Sequence, residues 1–278
     1  MRNRVQTILL HSALLFISVI FIYPWLIAIS TGIKEPGEAS TNFGLIPWEV
    51  DIVGNFVHVY HTAKVPLLAF NSLLITVVSV VAILFLSSLA AYAFARLKFV
   101  FKEKLYFLIL AGLMLQAASM MVPLYQVNLA LGILDTYYAV IGPYVALSLP
   151  FAILILRSFY EGLPIEIEEA ALIDGASRLT IFTRILMPLT RPGLATVGIF
   201  TGLGSWNDFV LPMLMTSDPK LKTMPLGLIM FEVESTMGTV EHEYRFALII
   251  MMTLPVILVF LLLQKQFMSG LTAGAVKG

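Results

Sequence analysis

Residues 65–95 read VPLLAFNSLLITVVSVVAILFLSSLAAYAFA, without a single Asp, Glu, Lys or Arg. Crossing the hydrocarbon core of a bilayer, roughly 30 Å thick, takes about 20 apolar residues of helix. This run is long enough for one crossing and too short for two. Strands of a membrane barrel would alternate apolar and polar positions; these residues do not, so the crossing reads as helical. Comparable uncharged runs occupy 5–33, 105–134, 136–156 and 246–264, and a sixth apolar segment, 192–215, carries Asp208. The expected fold is all-α: a polytopic membrane protein forming one transmembrane domain over 1–278. Its six transmembrane helices are placed at about 8–30, 67–93, 105–126, 137–156, 193–215 and 246–264.

Composition agrees. The 278 residues are 59% hydrophobic and 12% charged, against about 45–50% and about 25% in a soluble domain. Too little polar surface remains for a water-soluble monomer, and the same figures are opposite to the signature of disorder. Seventeen basic and seventeen acidic residues cancel, which gives no electrostatic footprint for nucleic acid. With no cysteine, disulfides, thiolate nucleophiles and thiolate metal sites are excluded. The first run follows Arg2 and Arg4 and ends near Ala28-Ile29-Ser30, like a signal peptide, but it is longer than the usual apolar core of one. It reads as an uncleaved first span.

Sorted by loop, the basic residues are unequal. Arg2, Arg4, Arg96, Lys98, Lys102, Lys104, Arg157, Arg178, Arg184, Arg191, Lys265 and Lys277 fall on one side, and only Lys34, Lys64, Lys220, Lys222 and Arg245 on the other. Positive charge marks the cytoplasmic side, so both termini are expected there.

The long connection 157–191 is not linker-like. Pro164 followed by Glu166, Glu168 and Glu169 predicts a helix start, with acids at the positive end of the dipole. Ala170, Ala171, Leu172 and Ile173 continue it, and Asp174-Gly175 ends it. Ser177 is placed to cap a second short helix carrying Leu179, Phe182 and Ile185 at a spacing of three, which Pro188 closes. Two short helices joined by a glycine turn at the membrane surface suit either docking into a partner or lying on lipid.

Glu169-Ala170-Ala171, three residues, Gly175, nine residues, Ile185, two residues and Pro188 resembles the EAA signature of ABC importer permeases. Ala90-Ala91-Tyr92-Ala93-Phe94-Ala95-Arg96, Trp206-Asn207-Asp208-Phe209 and the ending Gly270 to Gly278 are similar to MalG-type carbohydrate permeases. Met187 departs from the leucine usual there. The resemblance implies the type I ABC importer permease fold in the cytoplasmic (inner) membrane of a prokaryote. It also implies that the loop carrying Glu169, Ala170, Ala171, Asp174, Gly175, Ile185 and Pro188 couples to an ATPase subunit dimer. Leu271, Thr272, Ala273, Gly274 and Lys277 would extend between the two ATPase subunits. The implied partners are a second homologous permease subunit, that ATPase dimer, an extracytoplasmic sugar-binding protein and membrane lipid. The loop 216–243, with Asp218, Glu232, Glu234, Glu241 and Glu243, is its expected contact surface.

No Gly-Lys dipeptide occurs, so this chain has no phosphate-binding P-loop. It is expected to be no enzyme and to hold no cofactor, with ATP and Mg used by the partner. His58 and His61 have metal-like spacing without a third ligand nearby and read as a solvated loop pair. Asp208 is the one carboxylate well inside an expected span, with Trp206 and Asn207 beside it, and intramembrane carboxylates are functional candidates. Two roles compete: lining the cargo path, or holding the fifth span against another subunit or the outer loop. A reading from another class makes Asp208 the proton site of an ion- or proton-coupled secondary transporter.

Overall fold

The computed structural model describes residues 4–236 and 242–275. Outside the described residues lie Arg2, Glu241 and Lys277, together with the side chains of Arg4, Glu232, Glu234, Lys265, Leu271, Thr272 and Ala273. In chain order the helices are α1 (Arg4–Gly32), α2 (Ile52–Thr62), α3 (Val65–Arg96), α4 (Lys102–Ala111), α5 (Ala117–Ala130), α6 (Tyr137–Glu161) and α7 (Glu166–Ile173). They continue with α8 (Arg178–Thr180), α9 (Met187–Leu189), α10 (Arg191–Asn207), α11 (Val210–Met215), α12 (Met224–Thr236) and α13 (His242–Ala275). The all-α expectation holds: among the described residues the only β pairing is an isolated bridge between Lys34 and Val50.

Among the described residues, four segments are long and apolar enough to cross a membrane alone: Gln6–Gly32, Val65–Arg96, Tyr137–Glu161 and His242–Leu262. The other two expected crossings are interrupted. The segment Lys102–Met114 meets Ala117–Ala130 at 105°, with Gln116 extended at the break. Close approach to α6 accompanies the break, since a Cβ on Gly112 would lie 2.9 Å from Pro150 Cγ. The segment expected at 193–215 is α10 and α11, separated at Asp208 and Phe209.

The chain divides into two compact units, Met1–Leu67 with Gly227–Val256, and Leu68–Leu226 with Ile257–Gly278. The first holds a loop after α1 that is tied by buried polar groups. Lys34, 2% exposed, donates its Nζ to the carbonyls of Asn42 (2.6 Å) and Gly44 (2.9 Å). The Glu38 carboxylate accepts from Asn42 Nδ2 (2.6 Å) and from the backbone N–H of Trp48 (2.7 Å) and Glu49 (3.1 Å). Burial would raise its pKa, but these donors prevail and hold the carboxyl below its ordinary value. Asn55 on α2 donates to the carbonyls of Gly32 (3.1 Å) and Lys34 (2.6 Å). His58 and His61 therefore lie on a helix rather than in a loop, and the His58 ring stacks on Tyr244 at 4.2 Å.

In the second unit, Ile83, Ala91 and Tyr92 of α3, Leu156 and Tyr160 of α6, Val197 of α10 and Ala171, Phe182 and Leu186 of the 157–191 connection form one buried cluster. Gly198 and Gly202 face α3, where a Cβ would touch Leu84, Val80 and Thr76 at 3.5–4.0 Å. That is the close helix packing expected of a small-xxx-small pair. Ser87, Ser88 and Thr201 return their hydroxyls to carbonyls four residues back, which satisfies them inside an apolar bundle.

Candidate functional site

The 157–191 connection folds as the sequence indicates at its first half. Helix α7 starts with Glu166, Glu168 and Glu169 in its first turn. It ends in a Schellman turn: Gly175 N donates to Leu172 O (3.0 Å) and Ala176 N to Ala171 O (2.9 Å). Gly175 has φ +79, where a side chain costs about 1–2 kcal/mol. Ser177 caps α8, accepting from Thr180 N at 3.2 Å. The second half differs, because residues Ile181–Leu186 form a wider π-helical turn. Leu179 consequently stays 68% exposed while Ile181, Phe182 and Leu186 are buried, so the expected three-residue stripe is not one face.

This arm is fastened at its base. Arg96, the last residue of α3, pairs its Nε with Glu168 Oε1 at 2.6 Å, with both side chains about nine-tenths buried. Arg96 Nη2 also donates to the Leu163 carbonyl at 2.6 Å. The Tyr92 ring lies 5.1 Å from Phe182 and 6.0 Å from Tyr160. Of the residues named from the sequence, Ala171 is buried in this base and Ile185 is half-buried. Glu169, Ala170, Asp174, Gly175 and Pro188 are exposed, and Ile173 is 87% exposed. The arrangement is a hydrogen-bonded tip carrying a carboxylate and bare aliphatic side chains, on a base keyed into the bundle. The Arg96–Glu168 pair spans 72 positions of sequence, which no local pattern reveals. A second fastening joins α4 to α6. Arg157 pairs with Glu103 (3.1 Å) and Glu161 (2.6 Å), and its guanidinium lies 3.9 Å from the Tyr106 ring centroid.

Asp208 lies at the break after α10 rather than inside a continuous helix, with extended backbone (φ −77, ψ 135). Its carboxylate accepts from Val210 N (2.9 Å) and Leu211 N (3.3 Å), and from Tyr144 Oη of α6 (2.8 Å). It thus starts α11 as an N-terminal cap does. Asp208 and Tyr144 line a mainly apolar cavity of about 490 Å³ with Phe151, Phe200 and Ser205, among others. Trp206 and Asn207 are not among its lining residues; Trp206 is buried and Asn207 exposed. The three neighbours therefore do not form one group. Replacing Asp208 by alanine removes the cap and leaves the buried Tyr144 hydroxyl without its acceptor. A loss of about 2 kcal/mol is expected, read by thermal unfolding of the purified protein in detergent. Asp208→Asn should retain roughly half of it.

The connection from Thr216 is ordered by polar contacts. The Asp135 carboxylate accepts from the N–H groups of Ser217 and Asp218, which hold its pKa below the ordinary value. Asn71 Nδ2 donates to the carbonyls of Lys220 (2.8 Å) and Lys222 (2.9 Å). Asp218 is exposed, but Glu243, expected on the same contact surface, is fully buried and accepts from Ala39 N at 2.6 Å. The α13 helix runs to Ala275 and so includes Leu271, Thr272, Ala273 and Gly274.

Residues 7–272 match the family described as binding-protein-dependent transport system inner membrane component. A putative ABC transporter permease of Caldicellulosiruptor sp. (strain Rt8B.4) is 39% identical, covering 92% of this chain and 91% of that protein. The trehalose/maltose transport system permease protein MalG of Thermococcus litoralis is 33% identical, covering 100% of both. The fold matches a chain in the crystal structure of a bacterial ABC transporter involved in import of the acidic polysaccharide alginate. That match has a TM-score of 0.83 and 23% identity, over 96% of this chain and 98% of that one.

Proposed function

The chain belongs to the family of binding-protein-dependent transport system inner membrane components, multi-pass permeases of the cytoplasmic membrane, and from that premise we propose that it is one permease half of an ATP-driven carbohydrate importer. The carbohydrate cargo is supported by the full-length similarity to a trehalose/maltose permease. In this reading six segments cross, with α4–α5 and α10–α11 as the broken ones, and both termini are cytoplasmic. A second homologous permease subunit completes the path, an ATPase dimer uses ATP and Mg, and an extracytoplasmic binding protein delivers the sugar. Leu271 to Lys277 reach between the ATPase subunits.

The observation that carries the reading is the 166–188 arm. Its tip exposes Glu169, Ile173 and Leu172, while its base is held by the Arg96–Glu168 pair. Such an element can transmit a partner's movement to α3, α6 and α10. Asp208 serves as a structural joint between α6 and α11, which three donors to its carboxylate support. That use leaves the proton-site alternative without a residue to favour it.

Affinity purification of the chain from its native membrane is expected to bring down a second permease and an ATPase dimer. The reconstituted complex should import sugar only with ATP and the binding protein. Gradient-driven uptake by the chain alone would overturn the proposal.

A further inference from the structure

In the first unit, the polar ties around Lys34 and Glu38 hold up a set of large apolar side chains that nothing among the described residues covers. Phe43 is 88% exposed, Ile46 81% and Trp48 71%. The following helix repeats the pattern. Val53, Val57 and Tyr60 of α2, at i, i+4 and i+7 on one face, are 74%, 50% and 46% exposed, while Asn55 and Val59 on the opposite face are buried. Isolated apolar side chains on a surface are ordinary, but so many on one ordered loop and one face of the adjoining helix mark an interaction surface.

Its position identifies the occupant. The apolar segment Gln6–Gly32 of α1 has 27 residues, roughly 40 Å of helix at 1.5 Å per residue. That is enough to cross the roughly 30 Å hydrocarbon core with length to spare, and the uncharged run ends at Ile33, before Lys34, which sets the last turn at the headgroup layer. Ser30 in that turn donates its hydroxyl to the Leu45 carbonyl at 2.6 Å, and Asp51 N donates to the Ile33 carbonyl at 3.0 Å. The loop is therefore fastened at the level where α1 leaves the bilayer. The next spanning helix begins at Val65, so both ends of the 33–64 segment issue from one membrane face. Trp, Tyr and Phe are the side chains favoured at that depth.

We infer that Phe43, Ile46 and Trp48, with the Val53–Val57–Tyr60 face of α2, seat in the bilayer interface and brace the end of α1 against lipid. The seat is hydrophobic rather than electrostatic. The surface charges in 35–51 are acids, Glu35 and Glu49 exposed and Asp51 half-buried, and Lys34 is buried. The lipid surface recognised is accordingly a zwitterionic one as well as an anionic one.

Because the chain has no cysteine, single-cysteine variants Ile46→Cys and Val53→Cys can carry a nitroxide, with Glu49→Cys as the aqueous reference. The labelled full chain is reconstituted with its co-purifying subunits in phosphatidylcholine vesicles. The accessibility ratio of oxygen to a nickel chelate is then read by electron paramagnetic resonance. A several-fold higher ratio at positions 46 and 53 than at 49, unchanged by added anionic lipid or salt, is the expected result. Nickel accessibility at 46 and 53 equal to that at 49 would overturn the inference. So would labels shielded from both reagents, since a protein partner then covers the surface. The readout needs no transport activity and stands apart from the importer reading.

Discussion

Removing Arg96 as Arg96→Ala is expected to destabilise the cytoplasmic arm by about 3 kcal/mol, the usual scale for breaking a buried ion pair from one side. Glu168 would be left about nine-tenths buried without its 2.6 Å partner, and the Leu163 carbonyl would lose its donor. Protease cleavage within 163–190 should become faster, and sugar-stimulated ATP hydrolysis should fall while the complex still assembles. The pair variant Arg96→Met with Glu168→Met separates charge burial from position. It should recover most of the lost stability, because two apolar groups replace both charges. An arm in Arg96→Ala as protease-resistant as in the parent protein would show that the ion pair does not hold it.

Reversing the charge at the tip, Glu169→Lys, is expected to leave the fold intact and disconnect transport. The Glu169 side chain is exposed, outside the buried base of the arm. A carboxylate there can form a charge-assisted bond with a basic residue of the ATPase, worth about 2 kcal/mol, or on the order of 30-fold in docking. Vesicles containing the variant should hydrolyse ATP at a basal rate with little sugar accumulated. Uptake equal to that of the parent protein would remove Glu169 from the coupling role.

Much of this molecule is written locally. The runs behind α3, α6 and α13 have no competing signal, and the arm announces itself through Pro164, the acids of 166–169, Asp174-Gly175 and Ser177. Apart from Glu168, each of those residues does its work within a few positions of itself, through a dipole, a left-handed φ or a cap. What stayed illegible depends on partners distant in sequence. The bend after α4 comes with Gly112 lying against Pro150, and hydropathy reads straight through it. The break at Asp208 is settled by Tyr144 of α6, and the hold on the arm by Arg96 meeting Glu168. The π-helical turn at Ile181–Leu186 shifts which side chains face inward, so a fixed helical period misplaces Leu179.

The arm's tip is closed by backbone bonds, Gly175 to Leu172 and Ala176 to Ala171, and by a serine cap. The side chains of Leu172, Ile173 and Asp174 take no part in that closure. The bonds that close the turn therefore do not fix the identity of these three side chains. In the importer we propose, such a permease would be matched to another motor by exchanging a few tip residues, much as a plug is refitted without rewiring the appliance.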